Sequence, residues 1–187
     1  MHTACIGMGA NLPSSAGAPE ATLAAAAERL ATLGRIAARS SLYSTAPVGY
    51  AAQPRFVNAV VVLATGLTPR ALLEALMKIE RKFGRDRSAG IANGPRSLDL
   101  DILLFDDLVV NEPDLTIPHP RLAERAFVLV PLNEIAPDLR DPRTETSVGE
   151  LLKSLPSSPY DATQAVVRIQ SDLWRAGRGG SGDSGAR

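Results

Sequence analysis

Two aspartates stand two residues apart in Gly94-Pro95-Arg96-Ser97-Leu98-Asp99-Leu100-Asp101-Ile102-Leu103-Leu104-Phe105, at the start of an apolar run. On a β-strand, side chains i and i+2 share a face. Asp99 and Asp101 then project together, while Leu98 and Leu100 point the other way, into a core. Two like charges this close repel unless a cation sits between them. Hard oxygen ligands on a rigid strand, with Arg96 just upstream, suit Mg²⁺ carrying a polyphosphate. A bare pair of this kind reads first as two solvated aspartates on an edge strand, so its neighbours must decide.

The neighbours are cationic. Arg85 and Arg87 precede a glycine-bearing connection, Arg96 follows it, and Thr116, His119 and Arg125 come next along the chain. Any one of these arginines alone reads as a solvated surface charge. Four of them beside two aspartates are what a Mg²⁺-nucleotide requires, because guanidinium forks bind the phosphate oxygens that the metal does not. Gly90 and Gly94 would let the connection open and close over a nucleotide. His119 lies between Pro118 and Pro120, which restricts its backbone. No Cys/His spacing suggests zinc, and no G-x-x-x-x-G-K-[ST] loop is present.

The elements that must position these residues follow from periodicity. Residues 3–9 read as a short buried strand. Ala21 to Leu33 is alanine-rich with leucines on one side, a helix for which Gly34 is a natural cap. Ile36 to Ser44 reads as a second strand and Phe56 to Leu63 as a third, the clearest in the chain. Thr68 and Pro69 open a second helix that closes at Gly84. The strand of Asp99 and Asp101 follows, then a minor hairpin through Leu108–Val110 and Leu115–Ile117. Leu122 to Ile135 reads as a helix interrupted by Pro131, and a last helix starts near Ser147. The order predicts an α+β fold: a ferredoxin-like βαββαβ antiparallel sheet with helices on one face, plus C-terminal helical additions. The first and last core strands are expected side by side at its centre, with Cys5 near Leu100.

With 187 residues and 45% hydrophobic content, the chain suffices for one domain with a core. Formal net charge is zero, which recommends neither nucleic acid nor an anionic membrane as partner. Cys5 is the single cysteine; no internal disulfide can form, and a buried inert thiol is expected. No apolar stretch approaches a membrane span and no signal peptide is evident. The expectation is a soluble cytoplasmic monomer. Residues 1–155 are expected to form the catalytic domain, 156–174 an extension that could pack on it, and 175–187, rich in glycine, serine and arginine, a disordered tail.

Residues 3 to 155 resemble the 6-hydroxymethyl-7,8-dihydropterin pyrophosphokinase family. Gly94 to Leu104 is similar to that family's G-P-R-x-L-D-L-D-I-L-L signature. Agreement extends to Gly7-Met8-Gly9-Ala10-Asn11-Leu12, Ser44-Thr45-Ala46-Pro47, Gln53 to Ala59, Ile117-Pro118-His119-Pro120-Arg121 and Val130 to Pro137. The resemblance implies transfer of pyrophosphate from ATP to the hydroxymethyl group of a pterin, with release of AMP, in folate biosynthesis. It implies that Asp99 and Asp101 hold two Mg²⁺ ions. Arg85 and Arg96 would stabilise the transferring group, and Arg87 would approach from the connection. His119 and Arg125 would hold the triphosphate, with Thr116 and the backbone near Ile102 beside adenosine. Thr45, Val48, Phe56, Asn58 and Phe127 would form the pterin slot, and Glu80 would assist the site indirectly.

Asn93, Ala92, Phe56, Pro120 and Ala46 depart from residues common in the family, while the metal ligands and main arginines are intact. Two rivals stay open on the residues themselves. One is a two-metal nucleotidyl transferase or cyclase, which would release pyrophosphate rather than AMP. The other is a binding module that has kept the fold without turnover.

Overall fold

The sheet is built around β4 (Phe56–Thr65), a largely apolar, valine-rich strand buried along most of its length, as central strands are. The structure, a computed structural model, describes residues 1–47, 52–85, 94–156 and 166–176. Along one side of β4 runs β1 (His2–Ala10), from His2 opposite Thr65 to Ala10 opposite Val57. The other side takes β2 (Gly34–Arg39) and β3 (Leu42–Thr45) in tandem. β5 (Asp99–Phe105) pairs with the far side of β1, and β8 (Val166–Ile169) with the far side of β3. Each pairing is antiparallel, and the order across the sheet is β5-β1-β4-β3-β8. The hairpin β6 (Val110–Glu112) and β7 (Leu115–Ile117) stands apart as a second small sheet.

Alternation along the strands gives the sheet two apolar faces. Ile6, Met8, Val61 and Leu63 pack on one face against Leu23 and Leu30 of α1 (Pro19–Leu30) and Leu72 and Leu76 of α2 (Pro69–Lys82). Cys5, Val60 and Leu103 pack on the other against Leu129 and Leu132 of α3 (Ala126–Ile135) and Val148 of α4 (Val148–Ser154). The helices after β5 thus cover the second face of the same sheet. Burial pushes the Cys5 thiol up to about 12, so it stays protonated and inert. Among the described residues, no helix is long and apolar enough to cross a membrane.

Several boundaries differ from the periodicity reading. β1 and β5 are neighbours as expected, but β5 lies at one end of the strand order, and Cys5 faces Leu104 while Leu100 faces Met8. β4 takes the central place because it pairs on both sides. Gly34 does not cap α1, which ends at Leu30. It opens β2, where a Cβ would lie 2.3 Å from the carbonyl oxygen of Ala64, so glycine answers a close strand approach. The second strand is broken at Ser40 and Ser41. There the Ser40 hydroxyl accepts from Val60 N–H at 2.9 Å and Glu134 accepts from Ser41 N–H at 2.7 Å. Pro131 sits inside α3 without ending it; the break falls at Arg125, in extended conformation (φ −111°, ψ 101°). Thr68 and Ser147 cap α2 and α4 as their sequences suggest, Ser147 within a full capping box with Glu150.

β8 joins the sheet, and α5 (Asp172–Ala176) runs two residues into the stretch expected to have nothing to bury. Residues 177–187 lie outside the described residues. Trp174 of α5 is only 2% exposed, its indole N–H donates to Ser40 O at 2.8 Å, and the Arg39 guanidinium lies 4.0 Å from its ring centroid. Trp174→Ala should therefore lower folding stability by about 3–5 kcal/mol. Urea denaturation measures this, and an unchanged midpoint would show that the C-terminal segment does not pack as described.

Candidate active site

The register of β1 assembles the polar residues. Gly7 faces Asp101 and Gly9 faces Asp99 on one side, while Gly9 faces Asn58 on the other. Residues opposite one another in an antiparallel pair point to the same face. The two carboxylates and the Asn58 amide therefore share the α3 side of the sheet, separated by glycines that leave the space between them open. A Cβ on Gly9 would lie 2.9 Å from Asn58 Oδ1, closer than two such atoms can stand. The result is a cleft open to solvent. Phe56 and Phe127, Thr45 and Asn58, and Asp99, Asp101, Arg96 and Arg125 all line it.

Asp99 accepts from Arg85 Nη1 at 2.8 Å and from Arg96 Nη1. Arg85 also donates to Leu98 O at 3.0 Å and lies 3.8 Å from Glu80. Glu80, 1% exposed, accepts from Leu100 N–H at 2.9 Å, so the end of α2 is tied to β5 behind the carboxylates. Arg96 stacks 5.4 Å from the Phe56 ring centroid and Arg125 5.5 Å from that of Phe127. Each aromatic ring thus carries a guanidinium over it.

Asp101 is different. Among the described residues it has no ion-pair partner within 4.0 Å. Burial, then the charge of Asp99, pushes its carboxyl up to about 6, against the opposing pull of Arg125. A divalent cation between Asp99 and Asp101 would answer both causes, replacing lost hydration and cancelling the repulsion. No cluster of three or more His, Cys, Asp or Glu ligands occurs among the described residues. The remaining ligands would be water and substrate oxygens, the set Mg²⁺ prefers. The donor pair therefore fits such an ion.

His119 is held by its own backbone, which donates to Leu103 O at 2.9 Å. Its Nδ1 accepts from the Arg121 N–H at 3.1 Å. Burial and then Arg125 pull the imidazole down to about 4. At neutral pH the ring is uncharged, with its proton on Nε2, so it acts as a hydrogen-bond donor and not as a cation.

Most residues expected from the sequence converge on this cleft. Ile102 is buried on the opposite face, in the α1–α2 core, leaving its backbone alone available. Thr116 sits on β7 opposite Asn111, away from the cleft lining. Val48, Arg87, Ala92 and Asn93 lie outside the described residues. Three contributors were not assigned a role from sequence. Gly9 and Asn11 lie in a matching motif whose function only pairing and burial reveal. Arg121 lines the cleft beside Arg125, with the Pro118-His119-Pro120-Arg121 run as its one signal.

A family model described as 7,8-dihydro-6-hydroxymethylpterin-pyrophosphokinase (HPPK) matches residues 5–137. The 2-amino-4-hydroxy-6-hydroxymethyldihydropteridine pyrophosphokinase of Pseudomonas aeruginosa is 49% identical over 122 residues, which is 65% of this chain and 74% of that protein. That of Methylorubrum extorquens is 46% identical over 141 residues, 74% of this chain and 85% of its own. Among solved structures, wild-type HPPK-DHPS of Plasmodium falciparum aligns over 90% of this chain with a TM-score of 0.67. At 16% identity that likeness shows the fold alone, and this chain spans 48% of that longer protein.

The raised carboxyl of Asp101 makes folding stability depend on pH. Below its unfolded value of 3.8 both states are protonated and there is no penalty. As pH rises toward about 6 the unfolded state ionises first, so folding stability falls and the loss is complete above that value. Asp101→Asn should then be more stable than the native chain above pH 6, by about 1–3 kcal/mol, with the gain vanishing below about pH 4. Metal-free thermal denaturation across this range measures it, and a gain that is independent of pH would contradict the burial described.

Proposed function

The chain belongs to the 7,8-dihydro-6-hydroxymethylpterin-pyrophosphokinase family and is a pyrophosphokinase of folate biosynthesis, and on that premise we propose how its residues divide the work. The pterin hydroxymethyl oxygen attacks the β-phosphorus of ATP. An O–P bond forms there, the bond to the α-phosphate oxygen breaks, AMP leaves and the hydroxyl proton is lost. Such a transfer asks the protein for positioning and charge neutralisation more than for covalent help. The arrangement that carries this reading is the pair Asp99 and Asp101 on one face of β5, beside a cleft walled by Phe56 and Phe127.

Asp99 and Asp101 would hold Mg²⁺, two ions by the family resemblance, which supply positive charge at the phosphate oxygens. Arg85 and Arg96 neutralise the transferring group, and both already meet at Asp99. Arg125 and the neutral Nε2–H of His119 bind further phosphate oxygens, with Arg87 in the same role from the connection before β5. By the family resemblance, the backbone near Ile102 and Thr116, the latter on β7 outside the cleft lining, would stand beside the adenosine. The pterin lies between Phe56 and Phe127, and Asn58 reads its polar edge. The bond from Asn58 Nδ2 to Thr45 Oγ1, 2.7 Å long, holds that amide in place with Thr45, and Val48 closes the slot. The strand order and antiparallel pairing support reading the sheet as the ferredoxin-like arrangement with its second strand broken in two. Residues 1–155 contain every group this reading uses, and we take the enzyme to act as a cytoplasmic monomer.

Incubation with ATP, Mg²⁺ and 6-hydroxymethyl-7,8-dihydropterin should yield pterin-dependent AMP. Asp101→Ala should lose that activity with its circular dichroism unchanged; a variant near the native rate would remove the metal site from this account. Release of pyrophosphate instead of AMP would favour a nucleotidyl transfer. Arg96→Ala should lower kcat more than it raises the KM for ATP, on the order of a hundredfold against a few-fold, because its contact strengthens as charge develops. Steady-state kinetics decide between this and the reverse pattern.

A further inference from the structure

Asn11 is buried, 3% exposed, at the end of β1. Its side chain spends its donors and its carbonyl on two separate segments. Oδ1 accepts from the backbone N–H of Arg96 at 2.8 Å. Nδ2 donates to Gln53 Oε1 and to Pro54 O, each at 3.0 Å. Its own backbone N–H and that of Leu12 donate to Arg96 O at 3.0 and 3.1 Å. Both backbone polar groups of Arg96 are therefore fixed by the two residues that follow β1. The segment carrying Gln53 and Pro54 leads directly into Phe56, whose ring lies under the Arg96 guanidinium. A buried amide with its hydrogens fully used is a rigid spacer, because releasing either arm leaves an unpaired polar group in a dry site.

We infer that Asn11 is a positioning residue that sets the Arg96 guanidinium against the Phe56 wall, so that the phosphate half and the heterocycle half of the cleft are held at one spacing. The inference rests on the pyrophosphokinase reading of the site. Asn11 touches no substrate in it and acts through Arg96 on one arm and through the approach to Phe56 on the other.

A double-mutant cycle tests this, with kcat and both KM values as readouts. Asn11→Ala should lower kcat on the order of tenfold or more, since small misplacement of a charge-neutralising group is expensive. The KM for ATP should stay within about threefold. In an Arg96→Ala background the same substitution should change kcat by less than about twofold, because the group it positions is gone. An equal loss in both backgrounds means a structural effect and overturns the inference. Asn11→Asp guards against a misfolded alanine variant. It keeps an acceptor for the Arg96 N–H and loses the amide donors toward Gln53 and Pro54. It should retain kcat within about threefold while raising the pterin KM about five- to tenfold. If it loses kcat as alanine is expected to, the bond to Arg96 does not carry the effect and the inference falls. A native enzyme without pterin-dependent AMP overturns the reaction reading and this inference with it, whereas additivity in an active enzyme overturns this inference alone.

Discussion

The register of β1 between β4 and β5 is the constraint on which the site depends. Side chains on a strand alternate with period two, so a slip of one residue would send the whole set to the opposite face. In the register found, Gly7 and Gly9 meet Asp101 and Asp99, and Gly9 also meets Asn58. The intervening residues Ile6 and Met8 face the α1–α2 core. The same alternation that packs one face on α1 and α2 therefore turns carboxylates and an amide into the cleft on the other. The glycines keep that face hollow where any side chain would fill it.

Charge then decides what the hollow can accept. Arg85, Arg96 and Arg125 stand around Glu80, Asp99 and Asp101, while Arg121 at the cleft is paired with Glu124. Within that set the carboxylates are unequally treated. Asp99 is shared by two guanidinium groups, while at Asp101 burial and the charge of Asp99 outweigh the pull of Arg125, and no ion pair forms among the described residues. A folded state that tolerates such a group is less stable than it could be, the usual signature of a site kept for a ligand. Glu80 shows the opposite solution. Though fully buried, it is hydrogen-bonded to the β5 backbone and faces Arg85, so it ties α2 to the strand it serves.

Much of this was legible in the chain. Caps at Thr68 and Ser147, the apolar run of β4 and the i, i+2 spacing of Asp99 and Asp101 are local features, and local physics reads them correctly. The failures share a cause. Gly34 looked like a helix cap because a glycine after a leucine-rich helix usually is one; its true reason is the Ala64 carbonyl thirty residues away in sequence. Pro131 looked like a break because it lacks an N–H, yet packing of Leu129 and Leu132 carries the helix through it. The helix start at Arg125 had no cap residue to announce it. Trp174, in a segment of little periodicity, is buried through Ser40 and Arg39, which no local pattern encodes.

The sequence by itself determined which residues could do the chemistry, because their types, spacing and motif order are written in one dimension: two aspartates, a set of arginines, an amide and two aromatics. It also determined the strands and helices whose periodicity is strong. Tertiary structure alone decided that, among the described residues, Asp99 is ion-paired while Asp101 is not, and that His119 is a neutral donor. It alone joined Gly9, Asn11 and Arg121 to the site and seated the C-terminal segment on the sheet. These depend on burial and on contacts between residues far apart in sequence, and neither quantity exists until the strands have paired.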